Sequence, residues 1–195
     1  MILIIDNYDS FSYNLVQSVG EINSDLIVLR SDEIDVSKLQ NLNIKHIIIS
    51  PGPGHPDEYT ICKQVVKFFA PYTPILGICL GHQIIATCYN ASIKKSSPVF
   101  HGRASKIYCL KDKLFLGIHA PFTAARYHSL VVDQDKRGLD LTTCLKTIAI
   151  TREGVIMACK HRYYHFTYGI QFHPESMLTI QGTKLLKNFL SLSYG

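Results

Sequence analysis

The sequence predicts an α/β fold: an open, mostly parallel central sheet with helices on both faces, plus a set of short antiparallel strands. Two observations predict it. Between Ile2 and Ile78, short apolar runs alternate with stretches of helical periodicity, the pattern of a parallel sheet covered by helices. From about Val99 to Ile156 the alternation gives way to brief strand-like runs divided by turns.

Ile2 to Ile5 is a continuous β-branched and leucine run, as expected of a strand buried on both faces. A polar turn, Asp6-Asn7-Tyr8-Asp9-Ser10, leads into a helix with Phe11, Leu15 and Val19 on one side, which Ser10 or Asp9 is placed to cap. Leu26–Leu29 and His46–Ile49 read as the next strands, the latter ending in Ser50-Pro51-Gly52-Pro53-Gly54. A helix through Ile61, Val65, Val66, Phe68 and Phe69 follows, then a strand over Pro74–Ile78 with Cys79 at its end.

The runs Val99-Phe100, Ile107–Leu110, Leu130–Val132, Thr147–Ile150 and Val155–Ala158 look antiparallel, either extending the sheet or forming a small one of their own. Tyr168–Phe172 returns as a strand and ends in His173-Pro174-Glu175. Thr183–Leu190 closes the pattern as a helix carrying Leu185, Leu186, Phe189 and Leu190.

A chain of 195 residues matches a single domain of roughly 100–200 residues, and no linker, repeat or low-complexity tract divides 1–195. With 47% hydrophobic and 18% charged residues, it is apolar enough to build a core, which argues against disorder. No apolar run reaches the roughly 20 residues of a membrane-spanning helix. The opening Met1-Ile2-Leu3-Ile4-Ile5-Asp6 lacks the basic start of a secretory or transit signal. The protein is therefore expected to work where it is made, in the cytoplasm or, if organelle-encoded, in the plastid stroma. A composition rich in Ile, Lys, Asn and Tyr points toward an AT-rich genome.

The net charge of +5 is scattered, and no nucleic-acid-binding motif accompanies it. The six cysteines, Cys62, Cys79, Cys88, Cys109, Cys144 and Cys159, show no CxxC pair, so neither a disulfide framework nor zinc is expected. His161, His165 and His173 crowd late in the chain, but without ligand-like spacing from Cys or carboxylate residues. No metal is expected.

Three motifs carry chemistry. Gly77-Ile78-Cys79-Leu80-Gly81 is a G-x-C-x-G at a strand-to-helix junction, the arrangement of a nucleophile elbow with cysteine in place of serine. The helix starting near His82 points its first amides at the sulfur, a setting that favours the nucleophilic thiolate. A buried structural cysteine is the alternative, and the better reading for the other five.

His173-Pro174-Glu175 follows an apolar strand. Residues two apart on extended backbone face the same side, so His173 can face the sulfur while Glu175 fixes its other ring nitrogen. Taken alone, the pair could equally be a strand-end histidine and a solvated carboxylate. Pro51-Gly52-Pro53-Gly54 also follows a strand. Proline has no N–H, so the loop's candidate donors are the amides of Gly52, Gly54 and His55. They suit an oxyanion hole completed by Leu80 N–H, although such a run often marks only a tight turn.

These motifs, with Asp6-Asn7-Tyr8-Asp9-Ser10-Phe11 and Arg126-Tyr127-His128-Ser129-Leu130-Val131-Val132, resemble the class I (triad) glutamine amidotransferases from Ile2 to Phe189. The likeness is strongest to the subunit serving anthranilate synthase and aminodeoxychorismate synthase. The resemblance implies a flavodoxin-like fold and glutamine hydrolysis to glutamate and ammonia. It implies Cys79 as nucleophile, His173 as general base and acid, and Glu175 as its orienter. Gly52, Pro53, Gly54 and Gln83 would bind glutamine, with Ser129 and Leu130 holding its α-groups through main-chain atoms, and Leu80 and Gly54 would form the oxyanion hole.

No cofactor is implied in this subunit. The implied partner is a chorismate-binding synthase subunit, component I, with no nucleic acid and no membrane involved. Asp6–Tyr13 and His55–Tyr59 are expected to line that interface. Arg103, where the family commonly has lysine, and an unusually aromatic 162–167 stretch depart from the pattern away from catalytic positions. The rival readings are a stand-alone cysteine hydrolase on the same architecture and a non-enzymatic domain that kept the fold.

Overall fold

A computed structural model describes residues 1–96, 102–133 and 141–194. Its main sheet has nine strands. The first half is parallel. β1 (Ile2–Asp6) lies between β2 (Leu26–Arg30) and β3 (His46–Ile49), and β4 (Ile75–Ile78) and β11 (Thr167–Ile170) continue the sheet in the order β2-β1-β3-β4-β11. This is the strand order of a flavodoxin-like doubly wound sheet, whose ligands sit beyond the carboxyl ends of the strands.

The second half is antiparallel: β10 (Ile156–His161), β9 (Leu145–Thr151), β6 (Arg103–Cys109) and the edge strand β7 (Phe122–Arg126). A separate two-stranded ladder joins β5 (Ile93–Lys95) to β8 (Leu130–Val132). Both expected outcomes for the antiparallel region therefore occur, sheet extension and a small second sheet. β5 and β7 were not expected from the sequence. The expected Val99-Phe100 strand lies outside the described residues.

The apolar runs of β1, β3 and β4 are continuous because both faces are covered. Ile2, Ile4, Ile48, Leu76 and Ile78 face Leu15 and Val19 of α1 (Ser12–Gly20) and Leu185, Leu186 and Phe189 of α5 (Gly182–Leu190). Leu3, Ile5, Ile47, Ile49 and Ile75 face Val65, Val66 and Phe69 of α3 (Thr60–Phe69) and Ile84 and Ile85 of α4 (Leu80–Cys88). A short helix, α2 (Val36–Leu39), adds Leu39 to that second layer. Each such side chain contributes about 1.5–3 kcal/mol on full burial, so this two-sided core holds the strand ends rigidly enough to carry a site.

The cap of α1 differs from the expectation. Its N-cap is Phe11, with no side-chain cap. Asp9 acts just before the helix, its carboxylate accepting from Phe11 N–H at 2.8 Å, so the turn and not the helix end takes the benefit of that side chain. Among the described residues, no helix is long and apolar enough to cross a membrane.

A candidate active site at the strand ends

Cys79 stands at the turn between β4 and α4 with φ 52° and ψ −100°, a backbone conformation disfavoured for a side chain with a Cβ. Gly77 and Gly81 make that turn possible. A Cβ on Gly77 would run into the carbonyl oxygen of Gly81, and one on Gly81 into that of Ile49. The strand and helix thus close to glycine distance, lifting the thiol above the sheet while leaving it only 9% exposed. α4 begins at Leu80, two residues earlier than expected, so the sulfur sits directly at the helix N-terminus. Its first amides, Leu80 N–H foremost, have no partner within the helix.

β11 ends at Ile170, two residues before the expected end of the strand; the chain bends at Gln171 and Phe172, and His173 then bridges to Ala125 of β7, its N–H donating to Ala125 O at 3.2 Å. Thr179 locks this register: its hydroxyl donates to His173 O at 2.6 Å and accepts from Ala125 N–H at 3.0 Å. His173 Nδ1 lies 2.6 Å from Glu175 Oε1, with side-chain exposures of 3% and 0%. The ring is held edge-on by Phe11 at 5.7 Å and Tyr127 at 5.1 Å between centroids.

His173 Nε2 is buried without a hydrogen bond of ordinary geometry, yet the Cys79 sulfur is close enough to bias its charge. Burial disfavours the imidazolium. Cys79 and Glu175 together outweigh that and raise the His173 pKa to about 10. The arrangement favours an imidazolium beside the sulfur.

In front of the sulfur is a cavity of about 210 Å³ lined by Gly52, Pro53, Gly54, Cys79, Leu80, Gln83, Tyr127, His128, Ser129 and Leu130. Sites for drug-sized ligands run roughly 300–1,000 Å³, so this one suits a molecule the size of an amino acid. Gly52, Pro53, Gly54, Leu80, Gln83, Ser129 and Leu130, all expected at the site, line it, whereas His55, His173 and Glu175 do not. A larger hollow of about 740 Å³ opens at the opposite ends of β3 and β4, beside Lys45, His46, Thr73 and Pro74. No cysteine lines it, and His46 there is bonded to Leu192 O at 2.8 Å.

One expectation needs correcting in detail. His55 N–H is no free oxyanion donor, because it donates to Glu58 Oε1 at 3.3 Å in a capping box. Gln83 lines the cavity, but its Nε2 is already engaged, by Leu130 O at 3.0 Å and Gln171 Oε1 at 3.1 Å. The late histidines also separate. His161 stacks on Tyr164 at 4.4 Å, and its Nδ1 accepts from the amides of Tyr163 and Tyr164, far in role from His173. Among the described residues, no group of three or more His, Cys, Asp or Glu side chains is arranged to hold a metal.

Four residues of the site were not anticipated from sequence. Asn7, fully buried, pins the glycine-proline loop: its N–H donates to Ser50 Oγ at 2.9 Å and its Nδ2 to Ser50 O at 3.0 Å. Gly52 packs so tightly there that a Cβ would meet Asn7 Cβ at 2.7 Å. Phe11 and Tyr127 cage the histidine. Gln171 donates toward the sulfur, Nε2 to Sγ at 3.6 Å. None of the four left a local signal, since the chain bends at Gln171 and Phe172 and turns at Pro174 and Glu175.

Comparison with known proteins agrees with this geometry. Residues 3–192 match the family described as "Glutamine amidotransferase class-I". Anthranilate synthase component 2 of Porphyra purpurea is 52% identical over 190 residues, covering 97% of this chain and 98% of that one. Aminodeoxychorismate synthase component 2 of Klebsiella aerogenes is 44% identical over 191 residues, covering 98% and 100%. The crystal structure of a putative GMP synthase protein from Thermoplasma acidophilum superposes with a TM-score of 0.81 at 24% identity, covering 97% of this chain and 91% of that one, and supports the fold. With an elbow cysteine, a caged histidine and a family match spanning nearly its whole length, this chain belongs to the class I glutamine amidotransferases and is a glutaminase component.

Proposed function

We propose that the chain hydrolyses glutamine with Cys79, His173 and Glu175 and passes the ammonia to a chorismate-using synthase subunit that makes anthranilate. The observation that carries this reading is the thiol at a strained elbow, backed by a caged histidine–carboxylate pair, over a cavity of amino-acid size.

The Cys79 thiolate attacks the side-chain amide of glutamine. Charge developing on the amide oxygen is met by Leu80 N–H and the amides of the Gly52–Gly54 loop, in a setting where one such donor is worth about 10²–10³ in rate. His173 gives its proton to the departing nitrogen, because an amide anion is too poor a leaving group unaided. The same imidazole then activates water against the glutamyl thioester, while Glu175 keeps its Nδ1 protonated and its ring oriented. Gly52, Pro53, Gly54, Gln83, Ser129 and Leu130 shape the pocket for the substrate.

Ammonia set free in water at neutral pH would be protonated and lost, so the synthase is best placed against this face, over the Asp6–Tyr13 and His55–Tyr59 loops. Tyr8 and Tyr13, 51% and 79% exposed, are available there. The Porphyra purpurea relative, at 52% identity, is an anthranilate synthase component 2, which favours anthranilate as the product. A second reading, delivery to aminodeoxychorismate synthase or to both, is favoured by the Klebsiella aerogenes relative. The setting is the cytoplasm, or the plastid stroma for an organelle-encoded chain, with no cofactor in this subunit.

The test is to reconstitute the chain with the synthase from its own source and identify the aromatic product. Cys79→Ala is expected to abolish glutamine-dependent synthesis and to spare synthesis from ammonium. Glutamine use surviving that substitution would sink the reading, and p-aminobenzoate precursors without anthranilate would move the product to the second branch.

A further inference from the structure

We infer that Gln171 is a further catalytic residue, whose side-chain amide donates a hydrogen bond to the Cys79 sulfur and holds the nucleophile in its aimed, anionic form. The inference rests on the glutaminase reading above. Nε2 of Gln171 lies 3.6 Å from Sγ. Gln171 is wholly buried and absent from the cavity lining, so its route to the chemistry is the sulfur and not the substrate.

The direction of that hydrogen bond is fixed by a relay. Leu130 O, a backbone carbonyl, can only accept, so the group Gln83 turns toward it at 3.0 Å must be its NH₂. The same NH₂ reaches Gln171 at 3.1 Å and requires a carbonyl oxygen there. That leaves the NH₂ of Gln171 facing the sulfur. Flipping either amide would set two acceptors or two donors against each other. A donor aimed at sulfur stabilises S⁻ over S–H, and burial keeps water from replacing it. Gln83 is the positioning residue of this relay. Because Leu130 also lines the cavity, the segment that meets substrate is tied to the nucleophile through two side chains.

The titratable and charged groups around this site are His173, with Glu175 on its Nδ1, Tyr127 and His128 in the cavity wall, and Arg126, which donates to His128 Nε2 at 3.1 Å; His82 on α4 turns to Cys159 instead. Burial holds His82 and His128 neutral, with pKa values lowered to about 3. The charge that varies near the thiol is therefore that of His173.

The test uses Gln171→Met, which keeps the length of the side chain and removes the donor, and Gln171→Glu, which keeps the shape and turns an acceptor on the sulfur. Iodoacetamide labelling of Cys79 is followed by peptide mass spectrometry across pH, and glutaminase kinetics are measured in complex with the synthase. Gln171→Met is expected to move the labelling midpoint up by about 0.5–1 pH unit. It should lower kcat about tenfold with KM within about twofold, and Gln171→Glu should shift the midpoint further. An unchanged midpoint in either folded variant, or reduced labelling extent without a shift, would overturn the proposal and leave Gln171 a packing residue. Should the methionine variant melt below assay temperature, the glutamate variant decides alone. Failure of the wild-type complex to hydrolyse glutamine would instead refute the functional reading, since the labelling needs no turnover.

Discussion

Oε1 of Glu175 lies 2.6 Å from Nδ1 of His173, with the carboxylate side chain entirely out of solvent. A buried carboxylate in that position has one evident role, to orient and charge the imidazole. Glu175→Gln keeps the shape and removes the charge, and is expected to lower glutaminase kcat by about 10²–10⁴, the range of a positioned acid–base group. Steady-state kinetics with the synthase bound checks it.

The same pair makes stability depend on pH. The folded-state pKa of His173 is raised to about 10: burial opposes the charge, and Cys79 and Glu175 more than reverse that effect. A raised pKa means that the native state holds its proton more tightly than the unfolded chain, whose histidine titrates near 6.5. The contribution is therefore complete below about pH 6.5 and is lost as pH rises toward 10. Melting temperature across that window is expected to fall less steeply in Glu175→Gln than in the wild type.

Gly77 tests the elbow. Because a Cβ there meets the Gly81 carbonyl, Gly77→Ala is expected to cost about 1–3 kcal/mol, the usual range for overpacking. It should also remove most glutaminase activity by displacing the thiol. Denaturant unfolding and kinetics together check both effects.

The parallel half of the fold was legible because β1, β3 and β4 are buried on both faces and read as unbroken apolar runs. β5 and β7 were not. Ile93-Lys94-Lys95 has one apolar residue followed by two lysines, and Phe122-Thr123-Ala124-Ala125-Arg126 relies on small residues packed beneath the sheet edge. In the site, Cys79 could be read because its flanking glycines are a local signal; His173 and Glu175 do pair as expected, but through a turn at Pro174 and Glu175 and not the extended alternation that suggested it. Ser129 and Leu130 were known only through family resemblance. Asn7 was missed because its role depends on Ser50, 43 residues away, a contact no local pattern encodes.

Asn7 therefore offers a direct check of loop support. Asn7→Ala leaves the glycine-proline loop without the buried side-chain hydrogen bond to Ser50 O, and is expected to destabilise the protein by about 1–3 kcal/mol. KM for glutamine should rise about tenfold with a smaller change in kcat, as measured by initial rates and calorimetry.

The cysteines should separate by reactivity. Burial pushes the thiols of Cys62 and Cys159 up to about 12, and both lie fully inside. In native protein near neutral pH they are expected to stay unalkylated while Cys79 reacts, and saturating glutamine should slow the Cys79 reaction. Peptide mapping after brief labelling checks this.

The most direct measurement is to stop glutamine turnover with acid and locate the acyl-enzyme by peptide mass spectrometry. A γ-glutamyl group on the peptide carrying Cys79, absent from Cys79→Ala protein, is the predicted result. An adduct on another cysteine, or undiminished ammonia release by Cys79→Ala, would contradict the account.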